Sequence, residues 1–161
     1  TRNPVDNGYD GKVYRAVPEH GWIHHIGSTL PNNKVLNQKS FGIEICNYGP
    51  IKLGSDGKYY NYVNSVIPSN MVTKIDKPFK GYSYYHSITD KQIESLKNLI
   101  SYLLNKYSTI SKQSPLLTVD GFDYNQNACN GLPGIYVHTN FRKDKYDWPG
   151  LPKIIEMINS L

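Results

Sequence analysis

Downstream of Thr89, apolar residues recur at three- and four-residue steps: Ile93, Leu96, Leu99, Ile100, Leu103, Leu104 and Tyr107. That period predicts an amphipathic helix through Lys106 that lays one face on a sheet. Thr89 stands at the N-cap, Gln92 follows three residues on as the second half of a capping box, and Ile88 and Ile93 occupy hydrophobic-staple positions. A shorter helix is predicted over residues 153–160, started by Pro152 in its first turn, with Ile154, Ile155 and Ile158 facing inward. Period-two alternation marks the strands. Residues 41–46 put Phe41, Ile43 and Ile45 on one face and Glu44 on the other, and stop at Asn47, Tyr48, Gly49 and Pro50. Residues 11–17 alternate after the turn-rich run from Asp6 to Asp10, predicting an early strand that leaves a hairpin. Residues 135–138 predict a strand with His138 at its end, where a side chain can leave the sheet and enter a cleft. Residues 50–88, rich in Tyr, Gly, Ser and Pro, keep no period and read as a long ordered excursion with one short hairpin around 58–66. Strands and helices alternate without repeats or low-complexity tracts, which predicts a single α/β layer structure, one domain over residues 1–161.

Composition narrows the function class only slightly. At 161 residues the chain can bury a proper core and fits one domain. Eighteen Lys and Arg against thirteen Asp and Glu give a formal net charge of +5, which favours an anionic partner such as nucleic acid, a membrane surface or an acidic cell-wall polymer. The positive residues are scattered, with a local knot only at Arg142, Lys143 and Lys145, so no dedicated nucleic-acid face is evident. No apolar run approaches the ~20 residues that span a bilayer. Cys46 and Cys129 lie far apart with no metal-type spacing and read as two free thiols in preference to one disulfide. The opening Thr-Arg-Asn-Pro does not resemble a signal peptide, so the chain reads as mature, as a fragment or as a domain cut from something longer.

The densest chemistry lies in residues 138–150, His-Thr-Asn-Phe-Arg-Lys-Asp-Lys-Tyr-Asp-Trp-Pro-Gly. An imidazole nitrogen and a carboxylate oxygen are both good Zn²⁺ ligands, and a lysine between them sets a fixed cation beside a metal-polarised carbonyl. Two protein ligands are too few, because catalytic zinc usually takes three and leaves a fourth position for water.

Five stretches together reach a known family. They are residues 10–17 (Asp-Gly-Lys-Val-Tyr-Arg-Ala-Val), His25-Ile26-Gly27, Asn37 with Ser40-Phe41-Gly42-Ile43-Glu44-Ile45, Thr89-Asp90-Lys91-Gln92-Ile93, and 138–150. In this order they resemble the zinc-dependent N-acetylmuramoyl-L-alanine amidases, the group shared by bacterial recycling amidases, phage endolysins and peptidoglycan recognition proteins. The resemblance implies an α/β fold with a mixed central β-sheet flanked by helices, and cleavage of the amide between the lactyl group of N-acetylmuramic acid and the first L-alanine of the stem peptide. It gives His138 and Asp147 as two of three Zn²⁺ ligands and Lys145 as the residue that stabilises the oxyanion. Glu44 is given as the carboxylate that orients or deprotonates the attacking water, and His25 as a residue lining the substrate cleft. Pattern alone leaves Glu44 an ordinary solvent-facing residue and Asp144 an alternative to Asp147; the Asp-x-Pro-Gly ending favours Asp147, although Trp148 interrupts the more usual Asp-Pro-Gly.

The resemblance also implies a first zinc histidine on a strand upstream of the run at residues 10–17, and this chain begins too late to carry it. Arg2, Asn3 and Pro4 stand where the family carries a Ser/Thr-x-His-Tyr type sequence. The reading adopted is that an N-terminal fragment or companion chain completes the sheet and the zinc site. The alternatives are that His24, His25 or His86 is the third ligand, or that the domain binds peptidoglycan without cutting it. His86, in a Tyr-rich loop, is most simply a surface residue, and one of His24 and His25 a structural histidine satisfied by backbone. A non-catalytic muropeptide-binding module is therefore the main rival, and a docking domain of a virion or secreted complex the remoter one. The implied location is extracellular, at the cell wall or on a virion.

Overall fold

The structure, a computed structural model, describes residues 8–18, 20–147 and 149–161. The stretch Arg2-Asn3-Pro4, the Asp6-Asn7 half of the first turn and Trp148 lie outside them. Five strands form one sheet in the order β3-β2-β1-β5-β4: β1 Pro50–Leu53, β2 Tyr59–Tyr60, β3 Val66–Ile67, β4 Val72–Phe79 and β5 Tyr82–His86. All of it comes from the Tyr-rich excursion, and the short hairpin read there is β2 with β3, paired Tyr59 to Ile67 and Tyr60 to Val66. Every pair is antiparallel, so the α/β class stands while the mixed character anticipated for the sheet is not present among the described residues.

The long helix α2, Asp90–Lys106, forms where its stripe and cap place it. Thr89 Oγ1 accepts from the Gln92 amide at 3.1 Å and Gln92 Oε1 accepts from the Thr89 amide at 3.2 Å, the reciprocal box that satisfies two orphan donors. The closing helix α5, Pro152–Asn159, starts on its proline and buries Ile154 and Ile158, with Ile155 partly buried. Three short helices, α1 Asn33–Gln38, α3 Gln126–Cys129 and α4 His138–Phe141, complete the set with a 3-10 turn at Val119–Phe122. Ile75, Phe79 and Tyr85 from β4 and β5 form one cluster with Ile100 of α2 and Ile154, Met157 and Ile158 of α5, and Phe122 is fully buried among them. The helices thus cover the sheet face that carries Tyr85. Cys46 and Cys129 are both free thiols.

Three expected strands are not strands among the described residues. Residues 41–46 pair with no other segment among the described residues. They run alongside α2 instead: Phe41 meets Tyr107 at 5.1 Å, and Gln92 Nε2 donates to the Cys46 carbonyl at 3.0 Å. Fifteen helical residues rise about 22 Å and six extended ones reach about 20 Å, so the segment is extended while its neighbour is a helix side with no ladder to offer. Ile45 packs on the core, and Phe41 and Ile43 stay 51% and 39% exposed. Residues 135–138 end in the first turn of α4, not in a strand, and residues 11–17 pair with nothing among the described residues, leaving Val13 and Tyr14 exposed. His86, taken for a loop residue, closes β5 and is 4% exposed, with Nδ1 accepting from the Tyr48 amide.

Thr89→Ala should lower stability by about 1 kcal/mol, because the cap and the bond from Thr89 Oγ1 to Asp10 Oδ1 go together. Urea unfolding should show a shifted midpoint at unchanged slope, with Thr89→Ser close to the parent.

Candidate functional site

The site is built on loops that buried amides hold in place. Asn140, without exposed surface, donates through Nδ2 to the carbonyls of Gly121 at 2.8 Å and Asp123 at 2.6 Å. Its Oδ1 accepts from the Val137 amide at 3.0 Å, and its own carbonyl accepts from the Asn125 amide. Thr139, equally buried, donates to the Phe122 carbonyl. These bonds lock the first turn of α4 onto the 3-10 turn before it. Gly121 is required there, because a Cβ would sit 1.6 Å from the Pro115 carbonyl oxygen. His138, the first residue of α4, is thereby aimed by its neighbours.

Its ring is fixed from the other side. His138 Nε2 lies 2.6 Å from the Ile26 carbonyl oxygen, which can only accept, so Nε2 carries a proton. The Ile26 carbonyl is in turn placed by Asn37, 1% exposed, whose Oδ1 accepts from the amides of His25 at 2.7 Å and Ile26 at 3.0 Å. With Nε2 protonated, Nδ1 faces Asp147 Oδ2 at 3.2 Å. In the neutral tautomer two lone pairs meet across that gap, a repulsive arrangement that a proton or a cation between them turns into an attractive one.

The surrounding charge favours an ionised Asp147. His138 acts first, by hydrogen bonding, and then His138, Lys145 and Lys80 act by charge to hold the Asp147 carboxyl below the usual carboxylate range, against the opposing effect of burial. Asp144 is occupied elsewhere: Arg142 grips it through Nε at 3.0 Å and through a terminal guanidinium nitrogen at 2.6 Å, which lowers its carboxyl to about 2. Of the two aspartates, Asp147 is therefore the one that meets the imidazole. Lys145 lies within electrostatic reach of Asp147 with its side chain unpaired among the described residues, and its carbonyl accepts from Lys80 Nζ at 2.5 Å.

The other residues singled out in the sequence stand apart. Glu44 is exposed and has no hydrogen bond or ion pair among the described residues. His25 is tied to its own neighbourhood: Nδ1 lies 3.0 Å from the Ile23 carbonyl and Nε2 2.8 Å from Ser40 Oγ, and its ring lies so close over Gly42 that a Cβ there would be 2.7 Å away. Both nitrogens are engaged, so this conformation offers no free ligand atom. His24 is exposed, with its ring edge against Trp22 at 5.1 Å, and His86 is buried in the sheet. Among the described residues no three His, Cys, Asp or Glu side chains gather as a metal site, and the converging donors are two, His138 and Asp147.

Sequence reasoning missed Lys80. It and Gly81, both with positive φ (48° and 84°), form the two-residue turn between Phe79 and Tyr82, a primed hairpin turn in which a lysine is unusual. Its ammonium donates to the carbonyls of Lys143 at 2.7 Å and Lys145 at 2.5 Å, tethering the site loop to the sheet. The signal was a lysine where Asn or Asp usually precedes the glycine.

A family model described as N-acetylmuramoyl-L-alanine amidase matches residues 7–150. The chain belongs to this amidase family. The match spans every residue discussed above, from His25 through Asp147, and the sheet with its helices agrees with the amidase fold. No curated protein and no solved structure matches the chain. Family membership supports amidase chemistry on peptidoglycan in general terms.

Lys80→Gly should relieve a left-handed lysine while removing both tethers. Global stability should move by no more than about 1 kcal/mol, whereas amide hydrogen exchange over residues 143–146 should accelerate relative to the rest of the amidase. Unchanged exchange there would show that the tether does not hold the loop.

Proposed function

We propose that this amidase hydrolyses the amide between N-acetylmuramic acid and L-alanine of peptidoglycan, with Zn²⁺ held by His138 Nδ1 and Asp147. The observation that carries this reading is the imidazole whose Nε2 proton is fixed on the Ile26 carbonyl, so that its other nitrogen and an ionised carboxylate converge 3.2 Å apart beside a lysine. An imidazole lone pair and an ionised carboxylate arranged this way suit a divalent cation. When bound, zinc would polarise the scissile carbonyl and acidify water at neutral pH.

The chain's own residues do the rest. Ile26 and Asn37 orient the imidazole, which raises its basicity as a ligand. Lys145, with a side chain paired to nothing else among the described residues, supplies positive charge where the carbonyl oxygen gains negative charge. Glu44 takes the proton of the attacking water; support for that role is the motif at residues 40–45, and its exposure leaves it reachable by substrate and solvent. The third zinc donor comes from outside the described residues, on an N-terminal fragment or companion chain that also pairs with residues 41–46. The unpaired extended segment with exposed Phe41 and Ile43 supports that arrangement. The place of work is the cell wall, outside the cell or on a virion.

One observation favours a second reading, a module that binds muropeptide without turnover: among the described residues only two protein donors converge. Metal content and release of L-alanyl peptides from peptidoglycan separate the two. Near-stoichiometric zinc that disappears in His138→Ala, together with peptide release, supports the enzyme. Muropeptide binding with neither zinc nor release supports the module. In the enzyme, Lys145→Ala should lower turnover by about 10²–10³-fold with zinc retained, because it acts on the transition state; equal loss of metal and turnover would remove that role. Glu44→Gln should retain zinc and nearly abolish peptide release, and unimpaired release would take Glu44 out of the mechanism.

A further inference from the structure

The stretch from Arg142 to Asp147 carries the three cations of the local knot and the carboxylate that meets His138. It has neither helix nor ladder of its own, so its direction must come from outside. Its fastenings sort the cations. Arg142 folds back on Asp144, and a terminal guanidinium nitrogen lies so close to Gly27 that a Cβ there would be 3.1 Å away. Lys143 sits over the ring of Tyr124 at 4.8 Å from its centre. The Lys145 ammonium is the one of the three that pairs with nothing among the described residues.

The main chain between these side chains is fixed from the sheet. Lys80 Nζ donates to the carbonyls of Lys143 and Lys145, one on each side of Asp144. The same ammonium lies 5.7 Å from the ring centre of Tyr146, and Tyr82 meets that ring edge-on at 5.9 Å. Lys145 and Tyr146 are thus both held to the turn between β4 and β5, and Asp147 is the next residue. Lys80 acts on a cation at His138 and Asp147 in two ways of opposite sign. Its charge, which helps to keep Asp147 ionised, also repels a metal. Its two bonds keep the loop from wandering, which favours the metal, because a carboxylate on an unheld loop must be ordered each time it binds. The charge acts across a loop open to screening water and salt, so the clasp is the larger effect.

We propose that Lys80 is a positioning residue of the His138–Asp147 site, holding the main chain at Lys143 and Lys145 so that Asp147 meets the imidazole while the Lys145 ammonium is left for the substrate. This rests on the amidase reading for what the site binds, and on the two carbonyl bonds for how the loop is held.

The test is calorimetric titration of the full chain with Zn²⁺, together with amide hydrogen exchange on the metal-free protein, in the parent, Lys80→Met, Lys80→Asn, Lys80→Arg and Lys58→Met. Lys80→Met keeps the side-chain length and the strained turn and loses the ammonium. Lys80→Asn adopts the turn easily and cannot reach the loop. Lys80→Arg keeps a cation of sufficient reach, and Lys58, exposed beside the turn between β1 and β2, controls for the loss of a surface charge. Zn²⁺ affinity should fall about three- to tenfold in Lys80→Met and Lys80→Asn and stay within about twofold of the parent in Lys80→Arg and Lys58→Met. Exchange over residues 143–146 should accelerate in the first two variants and not in the others. Circular dichroism identifies a variant that fails to fold, and Lys80→Asn, at home in its turn, then decides alone. Tighter or unchanged Zn²⁺ binding in Lys80→Met and Lys80→Asn means that charge outweighs the clasp and overturns the proposal. So does unchanged exchange, or a loss of affinity that Lys80→Arg shares in full. A parent that binds no Zn²⁺ removes the metal reading, and exchange then decides whether Lys80 positions the loop.

Discussion

The Ile26 carbonyl is the constraint on which the site turns. By accepting the Nε2 proton of His138 at 2.6 Å it decides the tautomer, and with it which nitrogen faces Asp147. Without that bond the imidazole is free to place a proton on Nδ1, and the His138–Asp147 pair becomes an ordinary hydrogen bond of the kind found on many surfaces. With it, Nδ1 faces a carboxylate that His138 by hydrogen bonding, and Lys145 and Lys80 by charge, hold ionised. A proton or a cation at Nδ1 then lies between two protein groups that both attract it. A family fold thus places His138 through one backbone oxygen, 112 residues away in sequence yet adjacent in space.

That oxygen is itself held by side chains that never touch a substrate. Asn37 fixes the backbone at His25 and Ile26, and Asn140 and Thr139 fix α4 onto the 3-10 turn that begins at Val119. Each of these amides and hydroxyls is essentially without exposed surface, and each makes its bonds to backbone. Irregular chain cannot satisfy its own amides and carbonyls in a ladder, so a precise loop needs buried polar side chains to take their place, and losing one orphans several groups at once. Placing His138 and Asp147 beside such loops lets the helices and sheet carry stability while the loops carry direction.

This division explains what the sequence disclosed and what it hid. Helix α2 was legible because cap, staple and stripe all act within a few residues of one another, and α5 because Pro152 and three isoleucines do the same. Alternation at residues 41–46 signals an extended chain correctly, but whether an extended chain joins a sheet depends on a partner that its own residues do not specify; here Tyr107 and Gln92 of the α2 region clip it to a helix. The true sheet was hidden for the opposite reason. Its strands carry side chains with apolar character on both faces, Tyr85 towards the helices and Tyr84 away, so the alternation that reveals a half-solvated strand is erased. His138 and Asp147 were legible through the motif at residues 138–150, and their meeting is what the structure displays. Ile26, Asn37 and Asn140 were not legible as parts of the site, because their contributions are bonds to chain remote in sequence.

Lys80 ties these layers together, and its conformation shows how strongly. A lysine at φ 48° in a two-residue hairpin turn is disfavoured by about 1–2 kcal/mol relative to glycine, and Asn or Asp would adopt the turn more easily. Neither has the reach to place an ammonium on the carbonyls of Lys143 and Lys145. Two charge-assisted hydrogen bonds from an exposed lysine head offset the backbone term and fix the loop in place. The turn residue is therefore better explained by the loop it holds than by the turn it makes. Because the same residue makes the turn between β4 and β5, the sheet and the loop that leads to Asp147 are tied by its side chain, with Tyr82 against Tyr146 beside it.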